Sequence, residues 1–213
     1  PSDYYELKWD DPERKVQREL VAYETILKNY EVLDKLQLED LVPKIYQIVD
    51  GDIIEHDVRS ESCENFHKPM DGFSRGFTNI LSLDLYASTF SYESDHLLSN
   101  HPLVYASKDV LVLTENAWDW WWFWGQDSID EMTNIHTFDI SVPGATTYTG
   151  SGRIDGQILN QFSLSEYEGV LRVATTTGQW NRWWMEDPEP MSSSVITLVR
   201  GVDPQTDQQI LLE

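Results

Sequence analysis

The sequence predicts an all-β fold of propeller blades, about three of them in a partial propeller, with an N-terminal α-helical insertion. Two strand units that recur in phase, and one helix-periodic stretch confined to the first part of the chain, carry this reading. The first unit, Thr78-Asn79-Ile80-Leu81-Ser82-Leu83-Asp84-Leu85, returns as Thr133-Asn134-Ile135-His136-Thr137-Phe138-Asp139-Ile140 and, more faintly, as Ser193-Ser194-Val195-Ile196-Thr197-Leu198. The second, Val110-Leu111-Val112-Leu113-Thr114, returns as Val170-Leu171-Arg172-Val173-Ala174-Thr175. The spacings are 55 residues from Asn79 to Asn134 and 60 residues from Val110 to Val170. A strand-rich repeat of that length is what a four-stranded propeller blade produces. A β-sandwich is the competing architecture, and the repeated loop inside the repeated unit argues against it.

Each element has a local cause. Asp11-Pro12-Glu13 reads as a helix start: a capping carboxylate, proline at the first position and an acid at the positive end of the dipole. Val16, Leu20, Tyr23, Leu27, Tyr30 and Leu33 then recur at threes and fours, which predicts one buried stripe on a helix packed against a domain. A short second turn, Leu38 to Val42, stops at Pro43. From about residue 77 the pattern alternates, as strands do. Ser107-Lys108-Asp109 and Tyr167-Glu168-Gly169 are the turn signals ahead of the second unit. We divide the chain into residues 1–62, the insertion with remnants of a first blade, and residues 63–213, the propeller repeats.

The repeats place an unusual composition. Ala117 to Gly125 reads AWDWWWFWG, and after the equivalent strand comes Gln179-Trp180-Asn181-Arg182-Trp183-Trp184. Eight of the nine tryptophans, Trp118, Trp120, Trp121, Trp122, Trp124, Trp180, Trp183 and Trp184, thus fall in one loop of two successive repeats. Equivalent propeller loops emerge side by side on one face. The rings then either pack on each other, with Asp119, Asp127, Glu186 and Asp187 accepting their N–H groups, or form a platform for a glycan, peptide, protein or quaternary amine, or enter a membrane interface.

Charge and chemistry narrow the function. Of 213 residues, 37 are acidic and 15 basic, a net charge of −22 spread through both parts of the chain. Such a surface repels nucleic acid and anionic lipid and favours solubility. No apolar run approaches the roughly 20 residues of a membrane-spanning helix. The single cysteine, Cys63, permits neither an internal disulfide nor a cysteine zinc site, and is a buried free thiol or pairs outside this segment. There is no nucleophile elbow, no P-loop and no zinc-protease motif, so no catalytic residue is assigned. His56, His67, His96, His101 and His136 lack metal-site spacing; His136 aligns with Leu81 and Ile196, which points to packing. Asp127, Asp130 and Glu131 are the one candidate calcium group, with an incomplete ligand spacing.

Ser151-Gly152-Arg153-Ile154-Asp155-Gly156-Gln157-Ile158-Leu159-Asn160-Gln161-Phe162-Ser163, running into Glu166-Tyr167-Glu168-Gly169-Val170-Leu171-Arg172-Val173-Ala174-Thr175-Thr176, resembles the signature of the secreted β-propeller domain family of bacteria and archaea, whose repeats are distantly similar to WD repeats. Leu38-Glu39-Asp40-Leu41-Val42-Pro43 and Cys63-Glu64-Asn65-Phe66-His67-Lys68-Pro69 resemble its helical insertion and the join back to the propeller. The resemblance implies an exported, often envelope-associated protein, of whose larger propeller this chain is a piece. It brings no catalytic residues and no cofactor. The expectation is a non-catalytic binding or scaffolding module. An enzyme at the propeller channel, or an oligomer-forming envelope protein, stands as the alternative.

Overall fold

A computed structural model describes residues 14–37, 40, 44–57, 65–68, 76–99, 102–116, 131–179 and 190–213. The chain forms two compact units, residues 1–58 and 59–213.

In the first unit, helix α1 spans Lys15–Leu33 and is followed by the hairpin β1 (Lys44–Val49) and β2 (Asp52–Asp57). The hairpin turn is Asp50-Gly51, both at positive φ (54° and 94°), the conformation that matches the right-handed twist of the flanking strands. The helix lies where its periodicity places it, but its stripe is not buried: Val16, Leu20, Tyr23, Leu27, Tyr30 and Leu33 are 46–63 % exposed. Apolar spacing sets a helix's amphipathic face; burial needs a second surface, and the periodicity carries no information about one. The expected start at Asp11-Pro12-Glu13 lies outside the described residues. Of the second turn only Asp40 is described; it accepts from the Gln37 N–H through Oδ2 at 2.9 Å and returns its own N–H to the Gln37 carbonyl.

Among the described residues the second unit is mostly β, with a 3-10 turn at Gln161–Ser163. Strands β6 (Leu103–Ala106), β7 (Val110–Asn116), β8 (Met132–Asp139) and β9 (Thr147–Asp155) form one antiparallel meander. Strands β10 (Leu164–Tyr167), β11 (Val170–Thr177), β12 (Ser192–Val202) and β13 (Gln209–Leu212) form a second. A single parallel pair, Ile210 with Ser151, joins β13 to β9 and makes one eight-stranded sheet. The β9–β13 crossing is close: a Cβ on Gly152 would sit 2.9 Å from the Leu211 Cβ. At the opposite edges the Tyr105 hydroxyl accepts the Glu166 N–H at 3.1 Å, and Ser107 Oγ donates to Glu166 Oε2 at 3.0 Å, so the sheet nearly closes.

Between the meanders lies the main core: Val110, Val112, Ile135 and Ile154 from one, and Leu164, Leu171, Val173, Ile196 and Leu198 from the other. A third sheet, ordered β3 (Phe66–His67), β5 (Tyr92–Ser99), β4 (Gly76–Leu83), covers the other side of the first meander. There Ile80 and Leu97 meet Leu113 and Phe138. The first meander is therefore buried on both faces, and every residue of β8 from Thr133 to Phe138 is buried. All the strand units read from the repeats are strands. The β10–β11 turn is Glu168-Gly169, both at positive φ (52° and 78°).

Candidate functional site

The two tryptophan-bearing loops leave the sheets at equivalent places. One runs from the end of β7 at Asn116 to the start of β8 at Met132; the other runs from Thr177 at the end of β11 to Ser192 at the start of β12. The eight tryptophans lie outside the described residues, as do Cys63, His101, Asp127 and Asp130. Their stems are described, and the stems are tied together.

The tie is the short segment after β9. The Gly156 N–H donates to the Glu131 carbonyl at the base of the first loop, and the Gly156 carbonyl accepts from Thr133 Oγ1 at 2.7 Å. The next residue, Gln157, pairs antiparallel with Thr176 at the base of the second loop, through N–H···O bonds of 2.9 and 3.0 Å in both directions. Gly156 can do this because it has no side chain: its φ is +87°, and a Cβ would lie 3.0 Å from both the Thr175 Cβ and the Thr176 carbonyl oxygen. The stems of both loops therefore rise from one rim, as the repeat alignment anticipates. Glu131, from the candidate calcium group, is buried at this base. Gln157 is buried beside it, and its Nε2 has no partner among the described residues. No cluster of three or more metal-ligating side chains occurs among the described residues.

A second polar group, which sequence reasoning did not assemble, lies between the three-stranded sheet and the first meander. Asp95, on β5, is buried; its Oδ1 is 3.3 Å from His67 Nε2, and its Oδ2 accepts from Thr146 Oγ1. The Thr146 N–H donates to Glu93 Oε2 at 3.1 Å. His67 stacks on Tyr148 with ring centroids 4.1 Å apart and meets Phe138 edge-on. His136 lies on the same side, 2 % exposed, with neither ring nitrogen hydrogen-bonded among the described residues. Burial, with a smaller contribution from the charge of His67, lowers its pKa to about 4. The packing role expected for His136 thus holds: at neutral pH it is an uncharged filler where Ile196 stands in the next repeat.

The threonine hydroxyl here bonds the carboxylate and not the imidazole, so the order of a hydroxyl nucleophile activated by histidine is not formed. The group clamps two sheets. His96, on the neighbouring register of β5, is spent similarly: Nδ1 donates to Asn79 Oδ1 at 2.6 Å and the ring stacks on Phe66 at 4.5 Å. His56 lies 2.9 Å from Gln47 Oε1 across the β1–β2 hairpin. The clamp joins three segments far apart in sequence, at His67, Glu93–Asp95 and Thr146–Tyr148, which is why spacing gave no sign of it.

Stacked meanders and a common loop rim define a repeat protein of the propeller type. Residues 14–211 match the β-propeller domain family, and the chain belongs to it. Among curated proteins it is similar to an uncharacterized protein of Methanocaldococcus jannaschii, with 29 % identity over 99 residues. That match takes in 46 % of this chain and 13 % of the relative. No solved structure matches the chain. No described helix is long and apolar enough to cross a membrane.

Proposed function

We propose that the chain is a non-catalytic, exported binding or scaffolding module, a portion of a larger propeller contributing about three blades. Its ligand surface is the rim that carries both tryptophan loops. One observation supports this above others: Gly156 and Gln157 bond the base of one loop to the base of the other. Two segments holding eight tryptophans start from a common footing, and aromatic rings gathered on a rigid scaffold are the usual anchors of protein and glycan recognition. The net charge of −22 turns nucleic acid and anionic membranes away, so the partner is a protein or glycan with apolar or cationic contact groups. The function needs no cofactor and no metal.

The test is Trp120, Trp122 and Trp183 to alanine, singly and together, scored on glycan and peptide arrays and by circular dichroism. Loss of binding with an unchanged spectrum supports the platform. Loss of the folded spectrum assigns the rings to packing instead.

A further inference from the structure

Taking the rim as the ligand surface, we propose that the loop between β9 and β10 is a third part of it, and that its occupant is a protein segment carrying both apolar and basic side chains.

Gly156 and Gln157 bond to the feet of both tryptophan loops, and residues 158–163 continue from them directly. Leu159 is two residues past Gln157, so its Cα lies within about 7 Å of that footing. The loop is held at both ends and in the middle. Ile158 packs against the main core, and Leu164 is buried in it. Asn160 caps the 3-10 turn: its Oδ1 accepts the Phe162 N–H at 2.9 Å, and its carbonyl accepts the Ser163 N–H at 3.0 Å. Between those anchors Leu159 and Phe162 stand in solvent, 82 % and 86 % exposed. Met191, where the second loop enters β12, is 70 % exposed on the same rim. Single exposed apolar residues are ordinary, but here one ordered turn holds two of them in water beside the stems of two tryptophan-rich loops.

Charge selects the occupant. Residues 117–131 carry Asp119, Asp127, Asp130 and Glu131 with no Lys or Arg, and residues 178–191 carry Glu186, Asp187 and Glu189 against Arg182 alone. The two loop segments are thus strongly negative, while the stretch 156–163 between them in sequence carries no charge. Lys or Arg side chains complement the acids and suit the faces of tryptophan rings, and an apolar side chain covers Leu159 and Phe162. A neutral glycan brings no cation for the acids, and its hydroxyls gain nothing from Leu159. An acidic segment is repelled.

The test titrates the chain into fluorescein-labelled peptides of alternating Lys and Leu, alternating Glu and Leu, and alternating Lys and Ser, read by fluorescence anisotropy. The Lys–Leu peptide is expected to bind, more weakly as salt is added, and the other two at least about tenfold less tightly. Phe162→Ser and Leu159→Ser are each expected to weaken the Lys–Leu peptide about tenfold, with the circular dichroism spectrum and the unfolding midpoint unchanged. Leu85→Ser is the control. Leu85 is also 86 % exposed, but it follows Asp84, which lies against Gly144 beyond the far end of β8 from the loops, and binding is expected to be unchanged. No binding of the Lys–Leu peptide, equal binding of all three peptides, or an equal loss in Leu85→Ser overturns the proposal. So does full affinity in both loop variants, or a lowered midpoint in both, which assigns the two side chains to packing within the chain. If any of these occurs while the tryptophan variants still lose binding on the arrays with their fold intact, the rim stands as the ligand surface and only the third loop and the basic partner fall.

Discussion

Gln157 and Thr176 exchange two backbone hydrogen bonds, 2.9 and 3.0 Å long, outside the regular strands that flank them. They connect the meander that ends at Asp155 to the one that contains β11. The bond pair sits at the foot of the second tryptophan loop, one residue from the glycine that reaches the foot of the first.

Replacing Gly156 is therefore costly. Gly156→Val brings both a positive φ and a Cβ 3.0 Å from the Thr176 carbonyl. Strain of this kind costs about 1–3 kcal/mol, and the clash adds to it. Chemical denaturation is expected to show a lowered midpoint. Amide exchange is expected to quicken at Gln157 and Thr176 before the β7–β8 core opens.

His136 makes the fold sensitive to acid. Its pKa is about 4 in the folded chain, below its ordinary 6.5, because burial disfavours the charged ring and the charge of His67 adds to that. A depressed folded pKa means that the unfolded chain binds the proton first. Stability is thus complete above about pH 6.5 and declines as pH falls towards 4, by about 3 kcal/mol from this residue. Asp95, His67 and Tyr148 share the site and stay present in the control. His136→Leu is expected to flatten the pH dependence of unfolding across that window; an unchanged slope refutes the assignment.

Equivalent positions in the repeat differ sharply in cost. Ile135→Ala empties a site with no exposure and is expected to lose about 2–5 kcal/mol. Val195→Ala changes a residue 72 % exposed and is expected to stay within about 0.5 kcal/mol in dilute solution. Urea unfolding of the two variants under identical conditions checks the contrast.

The tryptophan fluorescence reports on the rim. If the loops form an open platform, acrylamide quenches most of the emission in the folded chain, and a bound glycan or peptide protects it. Emission already shielded without ligand, and unchanged by it, assigns the rings to internal packing.

The strands were legible because their causes are local. Thr78–Leu83, Val110–Thr114, Thr133–Phe138, Val170–Thr175 and Ser193–Leu198 alternate or repeat, and each lies in a strand. The Glu168-Gly169 turn is equally local, since Gly169 adopts its positive φ of 78° without steric cost. The repeat alignment also gave the two loops equivalent stems, after β7 and after β11.

What periodicity could not supply was the surface opposite each apolar residue. The stripe of α1 has the spacing of a buried face yet lies exposed, and Val195 lies bare where its repeat-mate Ile135 is sealed. Burial belongs to pairs of surfaces, not to a residue's own neighbours in sequence. The His67–Asp95–Thr146 clamp joins side chains 28 and 51 residues apart, a proximity set by the stacking of sheets. The amino-acid order by itself determined the repeated strands β4, β7, β8, β11 and β12, the turns ahead of β7 and β11, and which loops are equivalent. The tertiary structure alone decided which faces meet, that His136 is buried in the interior, and that Gly156 and Gln157 tie the stems of the two tryptophan loops to a single base.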